Sequence, residues 1–240
     1  MSRVATGWRF GLITLAAAIG VAATLALGTW QLSRASGKLA LQAQIDAQHR
    51  LPPLPASALL QGGPLHRQVV VQGVWMAEHT VFLDNRQMNG KPGFFVMTPL
   101  KMEGIDRVLL VQRGWVPRNF SERSALPQVD SPAGLVTVQG RIAPPPARLY
   151  EFAGAPAGPI RQNLDLVQFA AELHRPLLDV TVVQIGGPSE GLLRQWSEPA
   201  TGVEKHQGYA FQWFGLAGLI TILYVWFQIV RRFLLRSRPS

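Results

Sequence analysis

Cysteine is absent from the 240-residue chain. That absence excludes disulfide frameworks, CxxC zinc and redox sites, CxxxC copper carriers and thiol nucleophiles. It leaves the compartment open, since a cysteine-free protein works in either redox environment. Charge is also scarce: Asp, Glu, Lys and Arg make up 15% of the chain, against about 25% in an ordinary soluble domain. With a mean hydropathy of +0.13, the shortfall places part of the chain in lipid. The enzyme signatures G-x-S-x-G, H-E-x-x-H, G-x-x-x-x-G-K-[ST] and G-x-G-x-x-G after a strand are missing. Glu78 and Asp84 lack the spacing of a paired-carboxylate acid–base site. The expectation is a protein that is not an enzyme.

Two long uncharged runs are present instead. Residues 10–30 form the first, 21 residues, and residues 209–230 the second, 22 residues. A helix needs about 20 mostly apolar residues to cross a hydrocarbon core of ~30 Å. Trp8 and Trp30 flank the first run; Tyr209 and Trp213 open the second and Trp226 lies near its end. That placement suits interfacial aromatic belts. Both runs are predicted transmembrane helices. A cleaved signal peptide is the competing reading of the first, but a signal core is usually about 7–15 residues and this run is longer.

The net charge of +9 then divides. Arg3 and Arg9 precede the first span, and Arg231, Arg232, Arg236 and Arg238 follow the second. The segment between them holds 17 basic and 14 acidic residues. Two thirds of the basicity therefore sits on short membrane-flanking tails, where it keeps both termini cytoplasmic and exports the middle. A nucleic-acid reading loses its support. The predicted organisation is a cytoplasmic tail (1–9), a first span (10–30), a periplasmic domain (31–208), a second span (209–230) and a basic cytoplasmic tail (231–240). No mitochondrial-type leader is present at the N-terminus, so a bacterial inner membrane is expected.

The middle reads as a mainly β, α+β domain. Residues 38–48 have helical spacing, and Pro52, Pro53 and Pro55 stop that helix. Strands are predicted at 67–75, 80–85, 94–100, 107–113, 135–142 and 180–185. Asn89-Gly90 marks a hairpin between the second and third. A helix is predicted at 166–173, capped by Asn163 or Asp165.

One histidine stands apart by position. From the head of the second run, His206, Tyr209, Ala210 and Trp213 fall at i, i+3, i+4 and i+7, on one helix face. A neutral imidazole flanked by flat aromatics suits an axial haem ligand; it equally suits an interfacial histidine bonded to lipid headgroups. Trp30, Arg34 and Lys38 make a similar stripe after the first run. It fits a docking face for a partner or an acidic cofactor group, or cations snorkelling to phosphates.

Six segments together resemble the surfeit locus protein one family of cytochrome c oxidase assembly factors. They are Gly28-Thr29-Trp30-Gln31-Leu32-Ser33-Arg34 with Lys38, Val71-Gln72-Gly73-Val74-Trp75, and Leu83-Asp84-Asn85-Arg86. Gly93 with Thr98-Pro99-Leu100, Val111-Gln112-Arg113-Gly114-Trp115-Val116-Pro117, and the run from His206 to Phe214 complete the set. The resemblance implies delivery or holding of haem a during assembly of oxidase subunit I, alongside other assembly factors and in membrane lipid. The family's proposed haem ligand maps onto His206. Tyr209 and Trp213 would flank the ring, and Arg34, Arg86 or Arg113 would pair with its propionates. The alternative is a structural scaffold that grips oxidase subunits without holding haem.

Overall fold

Forty-nine residues, Ser2–Arg50, run as one helix, α1. The alanine- and leucine-rich sequence has high helix propensity and contains no proline until Pro52. The two helical stretches expected at 10–30 and 38–48 are thus a single rod. A second long helix, α3 (Val203–Tyr224), follows the left-handed Gly202 and ends in a π-helical turn, Val225–Val230. Both are long and apolar enough to cross a membrane. The computed structural model describes residues 2–119, 126–150, 158–196 and 202–231. It divides into two compact units, residues 1–43 with 200–240, and residues 44–199. The cluster Arg232, Arg236 and Arg238 lies outside the described residues.

In the first unit the two helices pack antiparallel. Thr14, Ala17, Val21, Thr24, Gly28, Gln31 and Ala35 recur at alternating steps of three and four along α1, and all are at least half-buried among more exposed neighbours. Val203, His206, Ala210, Trp213, Ala217, Ile220 and Tyr224 do the same along α3. This seven-residue repeat defines a coiled-coil-like seam. Thr14 Oγ1 lies 2.9 Å from Tyr224 OH near one end. Further along, a Cβ on Gly28 would come within 2.7 Å of the Phe214 ring, so glycine leaves room for that ring to lie against α1.

The second unit is built on a closed strand ring. Its strands are β1 (Leu54–Pro55), β2 (Gln68–Trp75), β3 (Val81–Met88), β4 (Lys91–Met102), β5 (Val108–Pro117), β6 (Leu135–Ala143), β7 (Ile160–Arg161) and β8 (Leu177–Gln184). Hydrogen-bonded neighbours run β2–β6–β8–β5–β4, and β4 returns to β2 through Gly73↔Met102, Val74↔Lys101 and Trp75↔Leu100. A Cβ at Gly73 would strike Lys101 O, so the closing seam requires glycine there. The first half of β4 pairs instead with β3, and Pro99 sits near the hand-over, where a missing N–H is tolerated.

Leu59, Val69, Val71, Leu100, Leu109, Val111, Val138, Ile142, Leu178 and Val182 fill the barrel. On the other face of β5, Val108 and Leu110 pack with Phe169 and Leu173 of α2 (Leu166–Leu173). Asp165 Oδ1 caps that helix by accepting from Val167 N at 2.9 Å and Gln168 N at 3.2 Å. Several strands outrun their predicted bounds; β4, expected at 94–100, runs from Lys91 to Met102. Asn85 is a bulge residue with φ of 58° and β3 continues to Met88. Gly114 lies inside β5, which continues to Pro117.

Candidate functional site

Most of the helix seam is apolar or small, and besides the Thr14–Tyr224 contact a second polar contact lies toward its Gly202 end. His206 stands in the first turn of α3, half-buried, with Nδ1 2.7 Å from Gln31 Oε1. An amide oxygen only accepts, so this contact calls for the imidazole proton on Nδ1; in the neutral ring the lone pair is then on Nε2. Nε2 has no hydrogen-bond partner among the described residues. The imidazole thus meets a side-chain amide of α1 through Nδ1.

Arg34 and Lys38 follow Gln31 by three and seven residues, on the same side of α1. At about 1.5 Å per residue they stand roughly one and two turns beyond it. The Arg34 guanidinium rests 5.5 Å from the centroid of the exposed Trp30 ring. Lys38 Nζ reaches the start of α3, 3.6 Å from where a Gly202 Cβ would be. Neither cation has a carboxylate partner among the described residues. An imidazole lone pair and two unpaired cations therefore share one end of the helix pair. This donor set fits a flat metal complex that bears carboxylates.

Tyr209 is exposed on the flank of α3, and Trp213 is half-buried one turn further on. Ala210 leaves no room between them. It is 2% exposed, closed into the seam. A ring beside His206 would meet the Tyr209 side of the helix rather than a slot over Ala210.

Arg113 and Arg86 are of another kind. Arg113 is 0% exposed, with its guanidinium 4.5 Å from the Trp75 ring centroid in the barrel. It donates to Ser131 Oγ at 2.7 Å and Asp130 O at 2.6 Å, and pairs with Glu190 at 3.1 Å. Arg194 shares that carboxylate at 2.9 Å and donates to Arg113 O at 2.8 Å. Arg86 donates to Ala147 O and Gln162 O at 2.9 and 3.1 Å. Burial pushes both guanidinium groups below their ordinary value; at Arg113 the Glu190 carboxylate opposes it. The carboxylate expected to meet Arg113 is thus an internal one, and no surface of this side chain is left for a ligand.

A family model described as "SURF1 family" matches residues 18–218, spanning both helices and the barrel. The chain belongs to the SURF1 family. It is 27% identical over 211 residues to a SURF1-like protein of Rickettsia felis, covering 84% of this chain and 90% of that one. Surfeit locus protein 1 of Rattus norvegicus is 25% identical, with 88% and 74% covered. The cytochrome oxidase assembly protein SHY1 of Saccharomyces cerevisiae is 28% identical over 94 residues, 38% of this chain and 24% of its own.

Within this SURF1 family protein, sequence reasoning missed Gln31, which reads there only as the polar end of an apolar run. The signal was available. Gln31 continues the three–four repeat of small residues, and an amide on such a seam needs a partner across it. Glu190 and Arg194 went unnoticed because nothing in their spacing points to Arg113, some eighty residues earlier. A concavity of about 650 Å³ elsewhere in the barrel unit holds none of the expected site residues. Its Arg161 is already bidentate to Glu172, at 3.1 and 2.6 Å.

Proposed function

We propose that this SURF1 family protein is an assembly factor for haem-copper cytochrome c oxidase, spanning a bacterial inner membrane twice and holding haem a through His206 for insertion into subunit I. The assembly role is supported by the name of one relative, the cytochrome oxidase assembly protein SHY1 of Saccharomyces cerevisiae, and by the shared family. The haem role rests chiefly on His206, whose Nδ1 is bonded to Gln31 while Nε2 stays free. Bound haem would supply an iron that takes an imidazole nitrogen as axial ligand. Arg34 and Lys38 would pair with its propionates, and Tyr209 and Trp213 would bear against the ring edge. A site on the flank of a helix pair lets a hydrophobic ring pass sideways without crossing water.

The test is spectroscopic. The full chain is expressed in cells that make haem a, purified in detergent and examined by reduced-minus-oxidised difference spectra. The wild type is expected to carry haem and His206→Ala to lose it. A haem-free wild type, or full retention in His206→Ala, removes the ligand role. Co-purification of subunit I that survives His206→Ala would then favour the scaffold reading.

The membrane orientation has its own test, made clean by the absence of native cysteine. In intact spheroplasts a membrane-impermeant maleimide is expected to label Thr137→Cys and to spare Ser240→Cys. The reverse pattern overturns the proposed topology.

A further inference from the structure

We propose that Gln31 is the positioning residue for His206: its side-chain oxygen holds the imidazole as the Nδ1–H tautomer and so presents Nε2 to a ligand. The inference rests on the haem reading above and deepens it. It starts from two helices far apart in sequence. Gln31 and His206 are 175 residues apart, yet their side chains meet at 2.7 Å. Each occupies a seam position, with Gly28 and Ala35 flanking Gln31 and Val203 and Ala210 flanking His206. Ala35, Val203 and Ala210 are at most 8% exposed, so apolar groups enclose this contact along the seam.

In such surroundings an amide oxygen and a ring N–H hold each other more firmly than in water. The choice of tautomer is informative because a free neutral imidazole prefers its proton on Nε2. Here the acceptor sits opposite Nδ1, and the preference is reversed. Histidines that ligate metals characteristically donate their other ring N–H to a fixed acceptor, which orients the ring and raises the basicity of the ligating nitrogen. Gln31 supplies that acceptor from α1, with one consequence for function. Ligation by α3 then depends on its register against α1, so sliding or parting of the helices would release the imidazole and weaken the hold on haem.

The experiment reads the tautomer before it reads any ligand. Full-length protein with ¹⁵N-labelled histidine is prepared in nanodiscs without haem, and the His206 signal is assigned by its loss in His206→Ala. The wild type should show a protonated Nδ1 and a bare Nε2. Gln31→Leu should move the proton toward Nε2, and Gln31→Glu, which keeps an acceptor oxygen, should restore the wild-type tautomer. Haem a titration into the same samples should show affinity about 10–100-fold weaker in Gln31→Leu and recovered in Gln31→Glu. An unchanged tautomer in Gln31→Leu overturns the positioning role, even if His206 binds haem. So does haem binding that depends on His206 but is equally tight in the wild type and Gln31→Leu. Haem retained in full by His206→Ala overturns the ligand reading itself, while the tautomer data still judge Gln31 separately.

Discussion

The basic side chains of the barrel and those of the helix pair differ in where their hydrogen-bonding capacity goes. Inside the barrel unit, Arg113 and Arg194 converge on one carboxylate, Glu190, and Arg86 is held by two backbone carbonyls. Their charge stitches the segments around Asp130, Ala147 and Glu190 to the strands. In the helix pair, Arg34 and Lys38 find no carboxylate among the described residues, and His206 engages one ring nitrogen only. A guanidinium buried against internal acceptors has no surface left to offer a ligand. One that rests on an exposed tryptophan does. Arg34 and Arg113 thus carry the same chemistry in sequence and opposite roles in space.

The largest effect should come from breaking the buried side. Arg113→Ala removes one partner of a buried pair and abandons Trp75, which is expected to cost about 3–5 kcal/mol. For a chain of this size that is a fall in Tm on the order of 10 °C, read by thermal unfolding in detergent. Glu190→Gln should also destabilise, because it leaves two buried guanidiniums facing a neutral group. If Arg113→Ala kept wild-type stability but lost haem, the contrast between the two sets would collapse.

Next in size is the seam itself. Gly28→Leu would drive a side chain into the Phe214 ring, and overpacking of this sort typically costs about 1–3 kcal/mol. Because Gln31 lies one turn from Gly28, the variant should also loosen the contact with His206. Stability and the His206 tautomer measured together should both shift. A stable protein with an unaltered tautomer would mean the helices tolerate a wider spacing than the seam implies.

Arg34→Gln is expected to leave stability within about 0.5 kcal/mol of wild type, since it touches only an exposed ring. Haem a affinity should nevertheless fall roughly tenfold, as expected for one lost charge-assisted bond worth about 1.4 kcal/mol. Unchanged haem affinity would move the propionate role to Lys38 or remove it from this end of the pair.

How legible each side was in sequence follows from its periodicity. β2 alternates, with Val69, Val71, Gly73 and Trp75 buried between more exposed neighbours, because only one of its faces meets the core. The cap of α2 was legible only as Asn163 or Asp165; it is Asp165 that bonds the helix's own first turn. β5 is buried on both faces from Val108 to Val116, so Gly114 passes for a terminator when it is packed against Leu192. The two-residue strands β1 and β7 pair in parallel with strands distant in sequence and leave no local pattern. Local rules fixed His206 on a helix face with Tyr209 and Trp213. The partner that orients it came from a second helix, and burial alone separated Arg34 from Arg113.

The smallest expected effects are two acid-side losses of stability within the barrel unit, and their signs are instructive. Burial first, then the nearby Arg141 and His49, holds the His66 imidazole below its ordinary value. The unfolded chain therefore binds that proton more readily than the folded one, and stability falls as pH drops from about 6.5 toward the lowered folded value. Glu172 is held below the usual carboxylate range chiefly by its hydrogen bonds to Arg161. Its contribution is present above the unfolded carboxylate value and is lost as pH falls through the lowered one. Glu172 is partly exposed, so solvent screening keeps the second loss below about 1 kcal/mol. Thermal unfolding between pH 7 and pH 3 should show two shallow declines. His66→Gln should remove the upper one and Glu172→Gln the lower. Neither substitution should move the Tm contrast between Arg113→Ala and Arg34→Gln, because neither group touches Glu190 or Trp30. If the upper decline persisted in His66→Gln, a group other than His66 would carry it, and the barrel's acid response would have to be reassigned.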